Sequence, residues 1–88
     1  MGDFMPETKV GAVFQYFQRP GVAAVRITDG VLKKGEKIHI IGNTTDFTQT
    51  VDSMQVQHQE VAEAKAGDEI GVKVSDRVRP HDVVYKIG

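Results

Sequence analysis

The sequence has no cysteine, no tryptophan and only three prolines, and aromatic residues make up just 7% of it. Without cysteine there is neither a disulfide framework nor a thiolate metal site, so the composition fits a reducing, cytoplasmic setting better than secretion. No apolar run approaches the ~20 residues that span a bilayer. The opening Met1-Gly2-Asp3 lacks the basic and apolar regions of a signal peptide, and Pro6 stands where a myristoylation signal needs Ser or Thr. Charge of one sign is missing too: 11 basic residues against 12 acidic ones leave a formal net charge of −1. That balance excludes a whole-molecule pull on nucleic acid, so any RNA contact must come from a local patch.

What the sequence does contain is a 40% hydrophobic share, enough for a packed core, in 88 residues, the length of one domain. Residues 1–8 read as a flexible N-terminal extension and 9–88 as the domain. Apolar residues recur with a period of two, which predicts half-buried strands over residues 9–17, 22–28, 37–41, 47–57, 69–74 and 83–87. Ala23, Val25 and Ile27 share one face of the second strand, with Val22, Ala24 and Arg26 on the other. Ile38 and Ile40 point inward, which sends His39 outward. Arg19-Pro20-Gly21 is a turn, with glycine supplying the positive φ. Six short strands separated by Gly, Asp and Pro turns predict an all-β, closed six-stranded barrel, because closure removes exposed edges. Residues 60–65 have helix-forming composition but are too few for a stable helix, and read as a connector with at most one helical turn.

One pattern recurs. Leu32-Lys33-Lys34-Gly35-Glu36-Lys37-Ile38 and Ala64-Lys65-Ala66-Gly67-Asp68-Glu69-Ile70 both read apolar, Lys, any, Gly, acidic, any, Ile. Val78-Arg79-Pro80-His81-Asp82-Val83-Val84 nearly repeats it with His81 in the glycine slot. The expectation is a turn whose fourth residue has positive φ and launches a buried strand.

The search for chemistry is mostly negative. No Gly-x-x-x-x-Gly-Lys-Ser/Thr phosphate loop is present, so GTP binding by that mechanism is excluded. His39, His58 and His81 are too far apart for a metal-ligand pair and read as surface or turn residues. Ser53 and Ser75 lack a nucleophile elbow, and Asp46 reads as the anchor of the Thr44-Thr45 turn rather than as an acid or base. No enzyme, metal or cofactor is expected.

Binding candidates are more concrete. Arg77 and Arg79 are two apart, so an extended backbone sends both guanidinium groups to one side, where they could grip phosphate or carboxylate. The plainer alternative pairs Arg77 with Asp76 or Asp82. Of Tyr16 and Phe17, one belongs in the core and the other outside, and an exposed ring beside Arg19 could stack a base. The run Gln55-Val56-Gln57-His58-Gln59 reads either as a solvent face or as a hydrogen-bonding surface.

Val10-Gly11-Ala12-Val13, Gly21-Val22-Ala23, the Gly35 and Gly67 turns and Val51-Asp52-Ser53-Met54-Gln55 together resemble the second, β-barrel domain of elongation factor Tu and related translational GTPases. The order and spacing extend from about Val10 to Ile87. Tyr16-Phe17, Thr44-Thr45-Asp46-Phe47, Ser53-Met54-Gln55 and Asp82-x-Val84-Tyr85 resemble still more the C-terminal barrel of collagenase-like peptidases, whose relatives include tRNA-hydroxylating enzymes. The resemblance implies a Greek-key barrel of the translation-protein type, a freestanding elongation factor-like protein. It also implies that the catalysis of either family lies in another domain. Elongation factor Tu holds the 3′ adenosine of aminoacyl-tRNA on this barrel; by the same resemblance, its pocket glutamate falls on Gln55 and a nearby arginine on His58.

The function implied is a non-catalytic recognition module that binds RNA or tRNA or docks onto a translation or RNA-modification protein. Arg77, Arg79, Gln55, His58, Tyr16 and Arg19 are its candidate residues. The alternative is a protein-docking subunit for a collagenase-like peptidase with no nucleic-acid contact. Neither reading involves a membrane.

Overall fold

Valine, isoleucine and alanine alternating with polar residues produce an all-β fold, seen here in a computed structural model that describes residues 6–88. The start that bears on myristoylation, and most of the expected N-terminal extension, lie outside the described residues. Ten strands follow in order: β1 (Glu7–Phe17), β2 (Val22–Ile27), β3 (Val31–Lys33), β4 (Lys37–Ile41) and β5 (Asp46–Thr50), then β6 (Met54–Val56), β7 (Gln59–Glu60), β8 (Glu63–Lys65), β9 (Glu69–Lys73) and β10 (Val83–Ile87). β1 starts at Glu7, opposite Ile87 of β10, so the sheet takes in two residues of the expected extension.

Eight of the strands form one antiparallel sheet in the order β5-β4-β10-β1-β2-β9-β6-β7, and β3 pairs with β8 in a separate ribbon. This corrects the closed six-stranded barrel. No ladder joins β5 to β7, and two physical reasons stand out. The expected long strand over 47–57 is broken at Val51, which is 0% exposed and whose N–H and carbonyl bond Glu36 and Gly35 instead of continuing a ladder. β3 and β8 are three residues each and pair with one another, Leu32 opposite Ala64, rather than extending the main sheet. That pairing also overrides the helical composition of residues 60–65: Ala64 reaches the core only if its segment is extended.

At the free edge one side chain does the joining. The Gln49 amide donates to the Lys73 carbonyl at 2.9 Å and accepts from the Ser75 N–H at 2.7 Å, tying β5 to the chain leaving β9.

The core is the row of inward positions, among them Val13, Val25, Ile27, Leu32, Ile38, Ile40, Met54, Ile70, Val72 and Val84, each at most 2% exposed. Burying such a side chain contributes about 1.5–3 kcal/mol relative to exposure, so this row is the main source of stability.

The recurrent turn behaves as its spacing predicts. Gly35, Gly67 and His81 all have positive φ, at 94°, 99° and 80°. In each, the acidic residue that follows accepts from the backbone N–H three positions earlier: Glu36 from Lys33 at 2.7 Å, Asp68 from Lys65 at 2.9 Å and Asp82 from Arg79 at 2.9 Å. The apolar ends are buried in all three copies, Leu32 with Ile38, Ala64 with Ile70, and Val78 with Val84.

Candidate functional site

The outer face of the sheet carries a groove built from the pairing register. Ala24 pairs with Gly71, and Gly71 with Gln55, across β2, β9 and β6. Alternate residues face opposite ways, so the two smallest side chains lie together and form a floor. On one side a β-bulge in β1 between Val13 and Gln15 leaves Phe14, Gln15 and Phe17 outside. Phe14 and Phe17 are 42% and 45% exposed, the exposed large hydrophobics among the described residues. On the other side stands the β6–β7 hairpin with Gln55, Val56, Gln57 and His58. The open cleft is about 810 Å³, and Arg19, Pro20, Asp68 and Glu69 also line it.

Two features hold these walls. Arg26 Nε donates to Glu69 at 3.1 Å, and its guanidinium lies 5.6 Å from the centre of the Phe14 ring, a cation–π contact worth about 0.5–1 kcal/mol at an exposed site. The hairpin turns on Gln57 and His58 alone, both with positive φ at 52° and 66°. This is the geometry in which Asn-Gly is favoured, and placing two side-chain-bearing residues there costs on the order of 1–2 kcal/mol each. Local strain of this kind clusters at ligand sites.

The candidates from the sequence divide. Gln55, His58 and Arg19 line the groove. Tyr16 turns inward and packs against the core, while Phe17 faces out. Arg77 and Arg79 lie on a second, smaller concavity of about 280 Å³ with Thr44, Thr45, Asp46, Phe47 and Asp76. Val78 between them is 1% exposed, while Arg77 and Arg79 are both exposed. The plainer pairing does not occur: Asp76 accepts from the Arg77 backbone N–H at 2.7 Å, and Asp82 is buried. Among the described residues no ion pair involves either guanidinium.

Two expectations are corrected. His39 does not simply face solvent. Its ring nitrogens lie 2.9 Å from Glu7 and 2.6 Å from Asp46, linking β1, β4 and β5 with only 18% of the side chain exposed. The hydrogen bond to Asp46 and then that to Glu7 raise the imidazole pKa above its ordinary value. Asp46 therefore does not anchor its own turn, which is closed by the Gly42 N–H and Thr45 carbonyl at 2.7 Å.

Phe14, Ala24 and Gly71 did not emerge from the sequence as site residues. The available signal was small residues at outward strand positions beside outward aromatics. Among the described residues there is no group of three or more His, Asp or Glu able to hold a metal ion, and no helix long and apolar enough to cross a membrane.

Comparison with known proteins agrees with this architecture. The chain is 38% identical over 81 residues, 91% of its length, to a collagenase of Porphyromonas gingivalis. It is 38% identical over 78 residues, 88% of its length, to an uncharacterised protease of Methanocaldococcus jannaschii. It spans only about a fifth of these curated relatives, 22% of the first and 19% of the second. In structure it is similar to the C-terminal domain of a U32 peptidase of Geobacillus thermoleovorans, at a TM-score of 0.83 and 21% identity, covering 90% of this chain and 91% of that one. A selenomethionine variant of that domain gives 0.81 at 20% identity over 86% and 95% of the two chains. Residues 21–77 match the family model of elongation factor Tu domain 2. That match takes in β2, β6, β7 and β9 of the groove, though not β1, and by it the chain belongs to the elongation factor Tu domain 2 family.

Proposed function

We propose that the chain is a non-catalytic recognition domain whose groove receives an unpaired RNA end, such as the 3′ end of a tRNA. The observation that carries this reading is the pair of exposed rings, Phe14 and Phe17, standing over a floor of Ala24 and Gly71. A base has a flat apolar face and a polar edge. It stacks on an aromatic ring while Gln55 offers both a donor and acceptors to its edge. Arg19, which also lines the groove, suits the adjoining phosphate.

The test is fluorescence anisotropy with an RNA hairpin bearing a single-stranded 3′ adenosine overhang, at low salt. Stacking contributes about 1–3 kcal/mol per base, so Phe14→Ala with Phe17→Ala should weaken binding about tenfold or more. Absence of binding by the wild-type protein refutes the reading.

A second reading has its own observation. The relatives are roughly four to five times as long as the chain, and its formal charge is −1, which favours the groove docking a segment of a collagenase-like enzyme instead. In that case a catalytic body expressed alone should bind the domain, and the Phe14 and Phe17 changes should abolish that binding without any effect on RNA.

A further inference from the structure

We infer that the concavity lined by Arg77 and Arg79 is a phosphate subsite separate from the groove, so that the RNA strand is gripped at two places. This rests on the RNA reading above. Val78 is buried between two exposed arginines, and Arg77 and Arg79 line one concavity together with Thr44 and Thr45.

Every carboxylate near this concavity is already engaged. Asp46 bonds His39 at 2.6 Å, Asp76 accepts from the Arg77 N–H at 2.7 Å, and Asp82 accepts from the Arg79 N–H at 2.9 Å. The guanidinium groups are the donors left over, and each is a planar fork matched to phosphate oxygens. Asp46 and Asp76 also lower the local positive potential, so a free polyphosphate binds this site weakly and a strand anchored elsewhere as well binds it more tightly.

The groove supplies that anchor. Gly21, in the turn whose Arg19 and Pro20 line the groove, accepts from the Val74 N–H at 3.0 Å. Only Ser75 and Asp76 separate Val74 from Arg77, a span of at most about 11 Å. A strand leaving the groove past Arg19 therefore meets Arg77 and Arg79 within a short oligonucleotide's reach.

Two measurements separate this subsite from the groove. Inorganic tripolyphosphate titrated into ¹⁵N-labelled protein should give saturable shifts at the Arg77 and Arg79 Nε–H and at the Thr44 and Thr45 amides. The shifts should survive Phe14→Ala with Phe17→Ala and vanish in Arg77→Ala with Arg79→Ala. Absent or evenly scattered shifts overturn the subsite. With single-stranded oligoadenylates of increasing length, the double arginine variant should bind a dinucleotide like wild type but lose the gain in affinity with length. Its slope of log Kd against log salt should fall by about 1.4, two phosphates at about 0.7 each. An unchanged slope overturns the subsite and leaves the groove reading standing. If no oligoadenylate binds the wild type, the groove reading fails and the two-point grip fails with it, even where tripolyphosphate binds.

Discussion

Exchanging glycine and histidine between the recurrent turns isolates the energy of one backbone angle. A methyl group added at Gly67 meets no atom within 4 Å, so nothing but its φ of +99° opposes the change. Forcing an L-residue into that region costs on the order of 1–2 kcal/mol. A gain of about 0.4–1 kcal/mol from the stiffer unfolded chain offsets part of it. Gly67→Ala should therefore destabilise by about 1 kcal/mol. His81 occupies the same slot at +80°, exposed, and the bond that holds the turn there is its own N–H to the Val13 carbonyl at 2.8 Å, which any residue but proline retains. His81→Gly should stabilise by about 0.5–1 kcal/mol. For a domain of this size each kcal/mol moves Tm by roughly 4–8 °C, well within the reach of thermal and urea unfolding followed by circular dichroism. A neutral Gly67→Ala, or a His81→Gly that lowers Tm, would show that the three turns do not share one energetic logic.

Other expectations follow from the charged and close-packed positions. His39 bridges Glu7 and Asp46, and its folded-state pKa is raised above its unfolded one, first by Asp46 and then by Glu7. Its stabilisation is thus complete below about pH 6.5, the ordinary value, and is lost as pH rises through the folded-state pKa. Urea midpoints measured from pH 5 to 9 should fall across that window in the wild type and lose this component in His39→Gln; identical profiles would refute the clasp. At Gly42 an added methyl carbon would lie 1.8 Å from Oδ1 of the buried Asp82, which holds the Arg79 N–H. Gly42→Ala should cost about 2–4 kcal/mol by displacing that hydrogen-bonded carboxylate, and an unfolding midpoint close to wild type would refute it. Removing the Gln49 amide with Gln49→Ala should cost about 1–2 kcal/mol and speed hydrogen exchange at Ser75 more than at Val72; equal acceleration at both would show that the seam is held by something else.

Much of the fold was legible because period and turn chemistry agreed. Ile38 and Ile40, or Ala23, Val25 and Ile27, declare their shared face by alternation alone. The Gly35 and Gly67 turns declare a backbone angle that few other residues adopt, and His81 could be placed by analogy with them. Closure was not legible, because it depends on where ladders stop. Nothing local in Val51 says that it will turn inward and bond Gly35 and Glu36, and nothing in Glu63-Ala64-Lys65 outweighs its helical composition except the distant Leu32. The kinship holds even though the ladder is open, since it rests on residues 21–77 and not on whether hydrogen bonds complete a ring.

The site was half legible for a similar reason. Gln55, His58 and Arg19 could be named from type and likeness, and Arg77 with Arg79 from spacing. Phe14 needed the bulge, which shifts the register by one residue and cannot be counted from alternation. His39 and Asp46 found each other through neighbouring strands, although seven positions apart in the chain.

Gly71 is where folding and recognition part company. A methyl group there would touch only the Val22 side chain, at 3.4 Å, so the domain can absorb it. The same methyl would make the hollow shallower by nearly its own thickness, beneath any ring lying between the two phenylalanines. The depth available to a guest is thus set by a position on which the architecture itself makes almost no demand.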